Sequence, residues 1–189
     1  KALASALSKR VEFALADAHG VVAASVQGLG AQFPQFAGLD LPEDLLWQAG
    51  AARELLWQAA KALGSASAAS YSAKGVELET ALTTQDVDAV LAALLTKEGT
   101  GRKFNDKLTG IGLIRQAQAL VQELVAARAQ HAAWLYQQRM ARLTRVLLDC
   151  FAQLKRERGW VDMNDVERAA LVLLGDPALG GWIAQRLDA

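Results

Sequence analysis

The chain has 189 residues and carries 20 Lys and Arg against 20 Asp and Glu, so its formal net charge is zero. That length suits one domain, or one domain with a small annex, and is ample for a buried core. Cys150 is the sole cysteine, which excludes an internal disulfide, and no apolar run reaches the roughly 18 residues that a membrane helix needs. Ala and Leu supply most of the apolar residues, and Pro occurs only at Pro34, Pro42 and Pro177. Both dominant types favour helix over strand, so the expected class is all-α.

Leu3, Leu7, Val11, Ala14 and Ala18 recur at helical spacing, which predicts a helix over residues 2–18. A Gly-interrupted stretch follows, where a second helix ending near Gly28 is favoured over a short strand at Val21-Val22 and Val26. Asp40-Leu41-Pro42-Glu43-Asp44 is a helix start, with Pro early and acids in the first turn to suit the macrodipole. The helix is expected to run to Leu63 and to stop at Gly64. Within it Leu45-Leu46-Trp47-Gln48-Ala49 recurs as Leu55-Leu56-Trp57-Gln58-Ala59. On one helix copies ten residues apart sit roughly 80° from each other, so the repeat is read as chance.

Residues 64–75 are Ala- and Ser-rich and read as a loop. A short helix is expected over 76–82, and then one capped by Thr83 or Thr84 that carries Val87, Val90, Leu91, Leu94 and Leu95 inward. Thr96 to Lys107 reads as a Gly-containing basic turn. From Gly110 to Arg158 the pattern is nearly unbroken, with Leu113, Ala117, Leu120, Leu124, Ala132, Leu135, Leu143, Leu147, Phe151 and Leu154 on one stripe. One helix over 113–158 would be about 69 Å long at 1.5 Å per residue. Gly159 stops it, and Asp162 or Asn164 caps a helix bearing Val166, Ala169, Ala170 and Leu173. After Gly175-Asp176-Pro177 a last helix over 178–188 is expected to carry Leu179, Trp182, Ile183 and Leu187. The architecture expected is an irregular multi-helix bundle with one very long helix near the C-terminal half.

Charge is segregated along the chain. Residues 1–101 hold 7 basic against 11 acidic residues, residues 102–158 hold 11 against 4, and residues 159–189 hold 2 against 5. The basic third is a candidate anion-binding face. Arg102, Lys103 and Lys107 cluster at the turn, and Arg139, Arg142 and Arg145 lie on the long helix. Both groups are candidates for sequence-independent phosphate contact, with Trp134 and Tyr136 nearby. A merely solvated helix face is the competing reading of the same charges, and core packing is the favoured role for Trp134 and Tyr136. Cys150, beside Phe151, reads as an inert packed thiol.

No catalytic or metal constellation emerges. His19 and His131 stand apart from each other and from Cys150. Gly99-Thr100-Gly101-Arg102-Lys103 lacks phosphate-loop spacing and reads as a turn between helices.

Phe151-Ala-Gln-Leu-Lys155-Arg-Glu-Arg-Gly159-Trp-Val161-Asp162-Met163-Asn164-Asp165-Val166, with Leu173-Leu174 after it, resembles a segment of UvrD/Rep-type DNA helicases. In that family an aromatic-and-Lys helix leads through Gly into a leucine-aspartate-phenylalanine-aspartate-aspartate-leucine run. Here Met163 stands for the Phe, Asn164 for one Asp, and Val161 and Val166 for the leucines. Leu94-Leu95-Thr96-Lys97-Glu98-Gly99-Thr100-Gly101-Arg102-Lys103 is similar to a stretch of the AddA/RecB-like branch, the exonuclease V beta-subunit-like proteins.

The resemblance covers residues 94–189 and implies a piece of an ATP-dependent 3′–5′ helicase, or helicase-nuclease, of double-strand-break repair and recombination. Residues 1–158 would be the helical 1B-like insertion. Residues 159–189 would return to the first RecA-like ATPase domain, which is expected outside this chain. ATP and Mg²⁺ are implied for the parent and no cofactor for this piece, which is expected to be non-catalytic. The implied partners are single-stranded or junction DNA, the rest of the helicase chain and a partner subunit in a helicase-nuclease complex. The expected setting is cytoplasmic and away from the membrane. Val166, Ala170, Leu173, Trp182, Ile183 and Leu187 are expected to face the ATPase core, and to promote self-association where it is absent. The rival expectation is a protein-interaction helical bundle with a solvated basic face.

Overall fold

Ala-rich sequence with Gly and Asp at its breaks makes helices here, not strands. In the computed structural model of the chain, residues 5, 7–176, 179, 181, 182, 185 and 186 are described. Among them are nine α-helices and one 3₁₀ turn: α1 (Arg10–Ala18), α2 (Val21–Ala24), α3 (Leu29–Gln32), the 3₁₀ turn Pro34–Phe36, α4 (Asp44–Trp47), α5 (Ala51–Gly64), α6 (Ala69–Thr84), α7 (Val87–Leu94), α8 (Ile111–Arg158) and α9 (Met163–Gly175). The all-α expectation holds, and so does the single 48-residue helix. The one strand-like pairing among the described residues is an isolated antiparallel bridge, Leu95 to Gly101. No described helix is long and apolar enough to cross a membrane.

The chain divides into two compact units, one formed by Gln27–Leu135 and one by Lys1–Val26 with Tyr136–Ala189. The boundary expected at residue 158 falls inside the second unit. Residues 178, 183 and 187, within the last helix expected from sequence, lie outside the described residues.

The 27–135 unit holds the hydrophobic core. Phe36, Leu46, Leu56, Leu63, Leu78, Leu94, Ile114 and Leu124 are fully buried. Each such side chain contributes roughly 1.5–3 kcal/mol of transfer free energy. On α8 the buried face is Ile114, Ala117, Val121, Leu124 and Ala127; Ala117 and Leu124 are in the expected stripe, while Ile114 and Val121 are buried in place of the half-buried Leu113 and Leu120. The expected inward set of α7 does pack, with Val90, Leu94 and Leu95 buried.

Three boundaries in this unit differ from expectation. The helix expected over 40–63 breaks at 48–50, where Gln48 turns extended and Gly50 becomes the N-cap of α5. Gly inside a helix costs about 1 kcal/mol relative to Ala, whereas at a cap it is tolerated. The break also removes the premise behind reading the repeat as chance: Leu46 and Leu56 are both fully buried, and Trp47 and Trp57 both pack on the core.

The second difference is the expected 64–75 loop, which shrinks to residues 65–68 because α6 begins at Ala69. Small residues there serve close packing of helices. A Cβ on Gly75 would come 2.3 Å from Gly64 N and 2.6 Å from its Cα. Third, α7 is capped by Asp86 and not by Thr83 or Thr84. The Asp86 carboxylate accepts from the Ala89 N–H at 3.0 Å, after Gln85 has ended α6 in the left-handed region at φ 56°.

In the other unit, α1 is tied to α8 and α9 by polar contacts. Arg145 grips Asp17 with Nε at 2.7 Å and Nη2 at 2.6 Å. Arg10 and Lys155 both pair with Asp162 and Asp165, including Lys155 Nζ to Asp162 at 2.9 Å and Arg10 to Asp165 at 3.3 Å. Gly159, at φ 63°, ends α8 in a Schellman motif: the Trp160 N–H donates to the Lys155 carbonyl and the Gly159 N–H to that of Arg156. Asp162 and Asp165 then form a capping box at the start of α9. Ala141 and Lys155 are the buried residues described in this unit. Val166, Ala170, Leu173 and Trp182, from the set expected to lie open without a covering domain, are exposed, as are Leu171, Val172, Leu174 and Leu179.

Candidate nucleic-acid interface

The basic turn is built from Leu94 outward. The Arg102 N–H donates to the Leu94 carbonyl at 3.0 Å and the Thr96 N–H to the Thr100 carbonyl at 2.8 Å, so residues 94–102 close as a small antiparallel loop. Gly99 turns its tip at φ 76°, where the Gly99 N–H donates to the Thr96 carbonyl at 3.1 Å. That positive φ is the conformation in which Gly is favoured over other residues. Two glutamines on α8 staple the loop down. Gln118, itself buried, donates to the Leu94 carbonyl at 3.0 Å and the Arg102 carbonyl at 2.8 Å, and Gln122 donates to the Gly99 carbonyl at 3.2 Å. Gly101 is small because the Gln118 carboxamide lies where a side chain would be; a Cβ there would meet it at 3.2 Å.

Arg102 is consequently held at three points. Its N–H and carbonyl are bonded as above, and its side-chain Nε donates to the Ala92 carbonyl at 3.0 Å. Both Nη groups are left without a partner among the described residues and are carried on a fixed stem. Beside it lies an open groove of about 350 Å³, lined by Arg102 and Lys103, by Phe104 and Asp106, and by Ile111, Arg115 and Gln118 of α8. Phe104 is fixed by an edge-on contact with Tyr71 at 5.3 Å between ring centroids. Arg115 pairs with Asp106, and both side chains are largely exposed, 61% and 78%.

The six basic residues singled out from sequence therefore divide. Arg102 and Lys103 line the groove, while Lys107 is exposed on the same connection but outside the lining. Arg139 and Arg142, in the other unit, are exposed and form no ion pair among the described residues. Arg145 is already engaged, since its bidentate bond to Asp17 raises its own pKa and holds the Asp17 carboxyl below its ordinary value. Arg128, another base of the long helix, is likewise occupied by Glu43 at 2.8 Å and Asp88 at 3.1 Å.

Sequence reasoning missed Arg115, which lies outside both basic clusters and whose role depends on the turn folding back onto α8. The aromatic pair also separates. Trp134 is half-buried, its indole beside Gly28, but Tyr136 is 67% exposed, contrary to the core role expected. Tyr136 and Arg139 are three residues apart on α8 and so lie on one side of it. Cys150 is exposed, not packed: beyond residue 135 α8 has little core to bury it against.

Lys155 behaves differently from the other bases. Burial pulls its ammonium down, but hydrogen bonds to Asp165 and Asp162 outweigh burial and leave the pKa above the ordinary value. Asp162, hydrogen-bonded by Lys155 first and Arg10 next, is held down to about 2, and Asp165 is lowered by the same Lys155. This cluster is internally neutralised, and its chemistry is structural. Among the described residues no group of three or more His, Cys, Asp or Glu is placed to hold a metal ion. No protein-family model matches the chain, and no curated protein or solved structure matches it either.

Proposed function

We propose that this chain is a DNA-contacting accessory region of a UvrD/Rep-type, AddA/RecB-like helicase, gripping single-stranded or junction DNA through its phosphates. ATP and Mg²⁺ belong to the rest of that parent chain, which with a partner subunit would complete a helicase-nuclease of double-strand-break repair. The observation that carries the DNA-binding reading is Arg102. Its backbone and Nε are bonded within the protein while, among the described residues, its outer nitrogens have no partner and neighbouring Lys103 forms no ion pair. A guanidinium already ordered loses less freedom on meeting a phosphate, and bidentate guanidinium–phosphate bonds are among the stronger polar contacts. Lys107 extends the same basic stretch, and Arg139 and Arg142 with Tyr136 supply a second exposed basic-aromatic patch.

Titration of a labelled single strand tests the reading. Binding should be weak and should fall by about 20- to 50-fold between roughly 50 and 200 mM salt, from a slope near −0.7 per contact over three or four phosphates. Binding that ignores salt, or none at low salt, would count against it.

The exposed apolar side chains of α9 favour a second reading, a protein-interaction bundle whose basic face is only solvated. That reading predicts a protein partner bound with no dependence on DNA.

A further inference from the structure

The groove beside the 94–102 loop offers more than the two bases found in sequence. We propose that it seats one phosphodiester of the bound strand between Arg102, Lys103 and Arg115, and that Asp106 holds Arg115 at rest and gives it up when the phosphate arrives. The proposal rests on the DNA-binding reading and deepens it, by naming the seat and a competing carboxylate within it.

Three observations lead there. The groove gathers three cations, from the loop and from the first turns of α8, against one carboxylate, leaving a net positive seat. Its volume of about 350 Å³ lies at the small end of the range of roughly 300–1,000 Å³ typical of ligand sites. Finally, the Arg115–Asp106 pair is mostly in water. Exposed pairs of that kind add little to the stability of a fold, so little opposes its exchange for a phosphate. Gln118 lines the groove too, but its amide is committed to the Leu94 and Arg102 carbonyls, so it shapes the seat and does not bind in it. Arg115, an exposed guanidinium on a helix, meets Asp106 through Nη2 alone and can offer the strand a two-pronged contact.

The seat makes a prediction that general positive charge does not. Removing the carboxylate should help binding only while Arg115 is present. Labelled oligothymidine would be titrated at low salt against the whole chain and against Arg115→Gln, Asp106→Asn and the double variant. Glu79→Gln would serve as a control that removes one exposed acid elsewhere in the same unit. Arg115→Gln should weaken binding about fivefold and lower the salt slope by about 0.7, the loss of one phosphate contact. Asp106→Asn should tighten binding about threefold and more than Glu79→Gln does. In the Arg115→Gln background that extra gain should vanish, which is the non-additivity of two residues acting through one contact.

Unchanged binding in Arg115→Gln would overturn the seat while leaving the DNA-binding reading intact. Equal gains from Asp106→Asn in both backgrounds would do the same, because Asp106 would then act only as a distant charge. Absence of binding by the unaltered chain would remove the underlying reading and the seat with it. Both substituted side chains are exposed and outside the core, and unchanged thermal melts would confirm that the variants fold.

Discussion

At the scale of single residues, local propensity and tertiary contact can demand opposite things. Gly75 sits inside α6, where Ala would be favoured by up to about 1 kcal/mol if the helix stood alone. Against that, a Cβ at position 75 would meet the Gly64 backbone at 2.3 Å, and backbone cannot rotate aside. Gly75→Ala should therefore destabilise the protein by about 3 kcal/mol, while Gly112→Ala, with nothing within 4 Å, should be neutral or slightly stabilising. Urea melts of both variants check this, and equal midpoints would refute it. Position 75 was legible only as a helix breaker, because a sequence records that a residue is small and not what stands opposite it. The same limit explains Arg145. Its charge was plain, but Asp17, 128 positions away, is brought to it by the fold alone.

At the scale of elements, helix ends were legible in part: the cap of α7 and the break before α5 were not, whereas the end of α8 and the start of α9 were. The Gly159 stop and the Asp162 cap both hold, because capping is chemistry between residues a few positions apart. What the spacing did not reveal is that the cap residues also pair with Lys155 and Arg10, joining α1, α8 and α9. Ionised Asp162 is favoured in the folded state, since its pKa there is about 2 against an ordinary 3.8. Its stabilising contribution is complete above pH 3.8 and is lost as pH falls toward about 2, and the lowered Asp165 acts in the same sense. Urea melts at about pH 5 and about pH 3 should show stability falling with acid, with a smaller fall in Lys155→Met, which lacks the main cause of both shifts. An equal fall in the two proteins would show that other carboxylates govern the acid response. Both aspartates are more than a third exposed, so solvent screening makes the effect modest.

For the molecule as a whole, core and charge are unevenly distributed. The buried cluster runs from Leu29 to Ala127, whereas the described part of the second unit leaves Leu171, Val172 and Leu174 of α9 in water. An exposed apolar helix of that kind should draw copies together, so light scattering should show mass rising with concentration, and Leu171→Gln/Val172→Gln should reduce the rise. Mass that stays at one chain throughout would sink this prediction.

The all-α class, the one long helix, the Gly and Asp punctuation and the basic character of residues 102–158 could be read from the chain alone, since each is a property of neighbouring residues. Which of those bases are taken up in ion pairs emerged from folding. Among the described residues Lys103, Arg139 and Arg142 form no ion pair, Arg128 and Arg145 are neutralised by acids distant in sequence, and Arg115 joins Arg102 across a groove that exists only once the 94–102 loop is bonded to α8. Charge is written along the chain, but an ion pair or a binding groove is set by distance in space, which no linear spacing contains.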